Sequence, residues 1–242
     1  MLIFNTIMNI NKNDINYEII HNIYETKGYI TVKNFLSKDY AEEFYDFLIN
    51  LDPTWWYHSS IVNNDRVDIR NLADITTQQK IKSRREDALK SFSEAKNFSY
   101  SFYRTVNNHY ETCECFLCKF TEKIIKNKVF LSFIEKVTGE SNLKLETFFF
   151  TEYKSGDFLY PHTDSPNGKV AIVLHMTKNW KPWFGGNLCM LDKTHSKVRE
   201  TLVPQFNSMT VMKIVEKINP HFVEYIPQNV KEHRFAMVCW FN

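Results

Sequence analysis

No apolar run in this chain approaches the roughly 20 residues needed to span a bilayer, so a membrane-spanning helix is not expected. The opening Met1-Leu-Ile-Phe-Asn-Thr-Ile-Met8 is apolar, but it lacks a basic start and a small-residue cleavage site. Asn11-Lys-Asn-Asp14 soon interrupts it. A secretory signal is therefore not expected, and the cytoplasm is the expected location. Net charge is nearly absent, at +2, which gives no basis for binding nucleic acid or a membrane surface. The cysteines are few and odd in number, at five, with three crowded into Cys113-Glu-Cys115-Phe-Leu-Cys118. That is no disulfide framework, and it suits a reducing compartment. No repeat, low-complexity tract or Pro/Gly-rich linker divides the chain.

What the chain does have is core-forming material. Of 242 residues, 43% are hydrophobic and 24% charged, as in ordinary globular proteins. Aromatics make up 15%, led by 20 Phe, which suggests a bulky core or an aromatic-lined cleft. The texture changes near residue 143. Before it, helical periods dominate. Ser37 is placed to cap a helix carrying Tyr40, Phe44, Phe47, Leu48 and Leu51, with Pro53 beyond its end. A second helix is expected over Thr77–Ala95, and a third pairs Phe116, Phe120 and Ile124. Tyr29–Phe35 reads as a strand. After residue 143 the period is two, and eight short strands are expected at about 143–154, 157–161, 169–177, 187–192, 198–203, 208–214, 221–226 and 233–241. Turn residues such as Ser155-Gly156 and Gly185-Gly186 separate most of them. Eight strands at this spacing favour a jelly-roll body over a plain antiparallel sandwich.

The chemistry centres on Tyr160-Pro-His-Thr-Asp164. In an extended segment residues two apart point the same way, so His162 and Asp164 can reach one metal ion. His221, opening Pro220-His-Phe-Val-Glu-Tyr225, is a candidate third ligand. Two histidines and a carboxylate on one face of an iron form the facial triad of non-haem Fe(II) oxygenases. Arg234 opens the apolar run Phe235–Phe241. A guanidinium buried there needs an anion, and its planar fork suits a carboxylate. Each of these residues alone has an ordinary reading, as a surface turn, a satisfied core histidine or a surface ion pair.

Taken together and in order, five segments resemble the catalytic core of the 2-oxoglutarate- and iron(II)-dependent dioxygenases, in their prolyl-4-hydroxylase-like branch. They are Thr151–Asp164, Val170–Trp180, Gly185–Leu188, Leu202–Asn207, and His221-Phe-Val223 through Arg234–Trp240. The resemblance implies a mainly β fold with helical N-terminal support and a double-stranded β-helix (jelly-roll, cupin-like) core. Residues 1–142 would be the support and 143–242 the core of a single structural domain. It implies that His162, Asp164 and His221 bind Fe(II), that Arg234 holds the distal carboxylate of 2-oxoglutarate, and that Tyr153 adds a hydroxyl to that carboxylate. His175 falls where relatives often place a Tyr facing the co-substrate, so it either hydrogen-bonds 2-oxoglutarate or fills the barrel. O2 is the second co-substrate, and ascorbate is a candidate addition. The implied reaction couples oxidative decarboxylation of 2-oxoglutarate, to succinate and CO2, to hydroxylation of a C–H bond. Halogenating relatives lack the carboxylate, so Asp164 favours hydroxylation. The likeness implies a prolyl residue of a protein or peptide as substrate. The alternatives are a free amino acid or other small molecule, or a catalytically silent jelly-roll binding module.

The spacing of Cys113, Cys115 and Cys118, even with His109 nearby, favours buried or semi-buried free thiols over a metal site or redox pair. Trp55-Trp56-Tyr57 reads as core, with a substrate-entrance role as the rival. Arg66, Arg70, Arg84 and Arg85 read as solvated, with guidance of an acidic substrate as the minor alternative.

Overall fold

The computed structural model describes residues 8, 16–93, 97–105, 115–215 and 218–242. Helix α1 (Tyr17–Lys27) starts where the Asn16 side chain accepts from the Ile19 amide, and it ends at Gly28 with φ 81°. That left-handed position lets the chain turn at once into strand β1 (Tyr29–Lys33). The close approach there also demands glycine, since a Cβ on Gly28 would lie 2.4 Å from the Asn219 side-chain amide. Helix α2 (Lys38–Ile49) follows Ser37 and buries Ala41, Phe44 and Leu48, the face its apolar spacing dictates. Strands β2 (Trp56–Val62) and β3 (Asp65–Ile69) form a hairpin. Helix α3 (Ile75–Ser93), strand β4 (Tyr100–Thr105), the short α4 (Phe116–Phe120) and α5 (Lys128–Thr138) complete the front of the chain.

All eight strands expected after residue 143 are present: β5 (Leu145–Tyr153), β6 (Phe158–His162), β7 (Val170–His175), β8 (Leu188–Leu191), β9 (Val198–Leu202), β10 (Ser208–Lys213), β11 (His221–Val223) and β12 (Arg234–Phe241). Pairing runs β1-β10-β7-β12-β5 along one sheet and β6-β11-β8-β9 along the other. Strand β4 joins the two, pairing through Tyr103 and Arg104 with β5 and through Tyr100 and Ser101 with β6. The jelly-roll expectation holds. The front half is less purely helical than its sequence suggests, because β1 to β4 all extend the sheet system.

Alternation along β12 explains its unbroken apolar sequence. Phe235, Met237, Cys239 and Phe241 pack towards the helices, while Ala236, Val238 and Trp240 face the space between the sheets. A strand covered on both sides needs apolar residues at every position. The helix-side core is aromatic, with Phe44 at 4.5 Å from Phe120 and 5.4 Å from Phe150 between ring centroids. Edge-on and tilted contacts of this kind add to the area they bury.

A polar knot ties α3 to the sheets. Asp157 is wholly buried, with Arg85 Nε 2.8 Å from its Oδ1. Ser101 Oγ donates to the same oxygen, and Ser101 also lies 2.8 Å from His58 Nε2. Arg85 is thus a partner of a buried carboxylate rather than a solvated side chain. Trp56 and Tyr57 are buried, as the core reading expected. Cys115 and Cys118 flank the start of α4, but Cys113 and His109 lie outside the described residues.

Burial, followed by the charges of Arg85 and Arg84, lowers the His58 pKa from 6.5 to about 3. The unfolded chain therefore binds one more proton than the native one between those values. The corresponding stability is fully present above about pH 6.5 and falls by roughly 1.4 kcal/mol per pH unit as the pH drops towards 3. Urea unfolding at stepped pH should show this slope in the wild type and a shallower one in His58→Gln. Identical slopes would mean that His58 is not held neutral.

Candidate metal centre

His162 ends β6 and His221 begins β11, and the two are directly opposite in the antiparallel register. Their ring centroids are 4.4 Å apart. Asp164 follows two residues after His162, just past the strand. His162 Nε2 lies 3.7 Å from Asp164 Oδ1, and His221 Nε2 lies 3.7 Å from Asp164 Oδ2. One donor atom from each residue falls within 4.8 Å of the other two, the only such metal-sized group of three or more among the described residues.

The imidazoles are aimed by the backbone. His162 Nδ1 is 2.9 Å from the carbonyl oxygen of Tyr160, and His221 Nδ1 is 2.9 Å from that of Asn219. A carbonyl only accepts, so each Nδ1 carries the hydrogen and each Nε2 presents its lone pair to the centre. Asn219 is itself held, its Nδ2 donating to the carbonyls of Gly28 at 2.7 Å and Lys213 at 3.0 Å. Burial would raise the Asp164 carboxyl, but the adjoining His162 and His221 outweigh it and hold it at about 2. His221 is lowered by its burial and by His162. A neutral His221 imidazole beside an ionised Asp164 carboxylate matches the protonation states that metal ligation requires.

A cavity of about 80 Å³ contains the triad, with Arg234 and Tyr153 in its wall. Arg234 is 2% exposed, and its Nε has no hydrogen-bond partner. Register sets Arg234 opposite Tyr153 on β5, with the guanidinium carbon 4.7 Å from that ring's centroid. No carboxylate among the described residues pairs with Arg234, and burial lowers its pKa. A buried, unpaired guanidinium is costly and calls for an anion. The long connection from His221 is absorbed by a hairpin whose Ile226 bonds back to Gly156 and Asp157.

His175 stands apart from this group. It is fully buried on β7, and its ring lines a neighbouring cleft of about 440 Å³ with Thr31 and Thr210. Nε2 is 3.5 Å from Thr210 Oγ1, and Nδ1 has no partner. Burial, then the charge of Arg234, brings its pKa to about 3, so it is neutral. Of the six residues singled out from the sequence, five therefore share one cavity and His175 borders it from the next. Phe149 and Phe102, also in the cavity wall, carried no sequence signal beyond their apolar character.

Residues 148–242 match the sequence model of the 2OG-Fe(II) oxygenase superfamily. The match supports a 2-oxoglutarate-dependent dioxygenase, a class that uses Fe(II), 2-oxoglutarate and O2, and the His-Asp-His group fits iron binding. Solved structures with the same fold include a 2OG-Fe(II) oxygenase family oxidoreductase from Burkholderia pseudomallei. It is 10% identical, with TM-score 0.61, 95% of this chain and 92% of that one being covered. A Trichoplax adhaerens prolyl hydroxylase in complex with a peptide fragment of the hypoxia inducible factor oxygen degradation domain is 18% identical. Its TM-score is 0.59, with 93% and 88% covered. A Pseudomonas putida prolyl-4-hydroxylase is 16% identical, with TM-score 0.50 and coverage of 93% and 98%. No helix among the described residues is long and apolar enough to cross a membrane.

Replacing His162, Asp164 or His221 by Ala should weaken Mn(II) binding, read by electron paramagnetic resonance as an anaerobic stand-in for iron, by more than about a hundredfold. Native-like affinity in any two of these variants would remove the triad from the metal site.

Proposed function

We propose that this oxygenase hydroxylates a prolyl residue within a protein or peptide, releasing succinate and CO2 from 2-oxoglutarate. The observation that carries the site assignment is the pairing of a metal-sized triad with a buried, anion-seeking arginine in one cavity. His162, Asp164 and His221 would hold iron, and Arg234 would receive the far carboxylate of 2-oxoglutarate. Bound iron and its co-substrates supply the oxidising power to insert one oxygen atom of O2 into a C–H bond. The protein's own contribution is placement and exclusion of water. Carbonyls of Tyr160 and Asn219 fix the imidazoles, and Arg234 anchors the co-substrate at one end. Phe102, Phe149, Leu159, Leu188 and Val223 keep the walls apolar. A dry site strengthens each of these electrostatic contacts.

The prolyl and peptidyl parts of this reading draw on the fold shared with prolyl hydroxylases, one of them holding a peptide. They also draw on the sheet formed by β4, β2 and β3, which continues the cavity's side of β5 sideways.

Anaerobically iron-loaded protein exposed to air should turn 2-oxoglutarate into succinate slowly, and faster with proline-containing peptides. His162→Ala should abolish this. Arg234→Ala should raise the 2-oxoglutarate requirement by about a hundredfold, as expected for loss of one buried charge pair. Oxidation of free amino acids with peptides left untouched would overturn the peptidyl assignment, and absence of both succinate formation and 2-oxoglutarate binding would overturn the site assignment.

A further inference from the structure

The face that carries the metal cavity does not stop at β5. Thr151 of β5 lies opposite Arg104 of β4, Arg104 lies opposite Tyr57 of β2, and Ser59 of β2 lies opposite Asp68 of β3. Directly paired residues share a side of the sheet, so Phe149, Thr151, Arg104, Tyr57 and Asp68 form one continuous surface. Three arginines stand on it or at its edge. The Arg104 guanidinium carbon sits 3.7 Å from the centroid of Phe149, itself a wall of the metal cavity. It is also 5.8 Å from the Tyr57 ring, which the Arg70 guanidinium approaches to 5.4 Å. Arg66 completes the strip.

Among the described residues only Asp68 offers these arginines a carboxylate, and Arg66 takes it in a two-bond clasp at 3.2 and 3.0 Å. Neither Arg104 nor Arg70 has a carboxylate partner among the described residues, and Arg104 Nε is buried without any acceptor. Burial disfavours the charge on Arg104, the Tyr57 hydroxyl offsets this in part, and Arg66 adds to it. Ring stacking offsets part of the cost of that burial but gives the guanidinium N–H groups no acceptor. A ring-stacked guanidinium with its donors unspent is instead what planar recognition of a carboxylate uses.

We propose that Arg104, with Arg70, receives an acidic side chain of the substrate that flanks the hydroxylated residue in an extended polypeptide. This deepens the peptidyl reading above and rests on it. Strands lie about 4.8 Å apart and an extended chain advances about 3.3 Å per residue. The path from the cavity wall on β5 to Arg104 and on to Arg70 therefore spans roughly one to five residues. The arginines set which sequences are chosen, and the triad sets the chemistry. Guidance of an acidic substrate, the minor sequence reading for Arg66, Arg70, Arg84 and Arg85, thus centres on a residue outside that set.

The test uses the iron- and 2-oxoglutarate-loaded chain and proline-centred peptides bearing Glu, Ala or Lys at positions one to five on either side. Binding is read by fluorescence anisotropy, hydroxylation by the mass of one added oxygen atom, and uncoupled succinate formation in parallel. Peptides with a flanking Glu should bind at least about tenfold more tightly than their Lys counterparts. Arg104→Glu should invert that order, Arg70→Glu should weaken it, and neither should change peptide-free succinate formation. That last readout also shows that each variant is folded and loaded. Peptide hydroxylation without dependence on the flanking charge, or the same ranking in Arg104→Glu, would overturn the acidic-substrate proposal and leave the peptidyl reading intact. Succinate formation with no peptide bound would overturn both, and a preference for Lys-flanked peptides in the wild type would overturn the proposal alone.

Discussion

The register between β6 and β11 is the constraint on which the catalytic half depends. His221 and His162 face each other across a single pair of strands, and a slip of one residue would turn one imidazole to the other side of the sheet. The pairing is short, since β11 has three residues. It is therefore reinforced on both sides, by β8 pairing with the same strand and by the two Nδ1 contacts to backbone carbonyls. Neither imidazole is left to its rotamer alone.

A second theme is the positive charge this fold tolerates at its working face. Arg234 is buried and Arg104 half-buried, each with a buried Nε that has no partner and with no carboxylate among the described residues, a costly state unless another molecule supplies one. Elsewhere the chain handles buried charge differently. Arg85 is matched to Asp157, and Glu152 to Lys154 and His233. The contrast separates arginines matched to a carboxylate of the fold from arginines that have none among the described residues. Composition cannot make that distinction, because all contribute equally to a net charge of +2.

Much of the rear half was legible. Strict alternation and punctuating turns located β5 to β12, and the His-x-Asp pair, His221 and Arg234 announced themselves by type and order. The front half was harder for a physical reason. Strand β2 reads Trp-Tyr-His-Ser-Ser-Ile-Val, and His58, Ser59 and Ser60 are all fully buried. Polar residues buried against partners elsewhere in the fold, as His58 Nε2 is against Ser101, erase the alternation that would mark a strand. Helix α1 is only weakly apolar, with Tyr24 its single buried residue. Arg104 gave no signal at all, because its meaning comes from Phe149 and Tyr57, distant in sequence and adjacent only through pairing.

The clasp between Gly28 and Asn219 has a bearing on how such a protein can change over time. The superfamily match begins at residue 148, which invites a picture of a portable catalytic module with an interchangeable leader. Yet the carbonyl that steers His221 belongs to Asn219, and the Asn219 side chain grips the carbonyl of Gly28 at the end of α1. No side chain larger than hydrogen fits at Gly28 without displacing that amide. A change at the end of the first helix would thus reach the aim of the His221 ring through Asn219, so the front of the chain helps to set the geometry of the candidate metal centre.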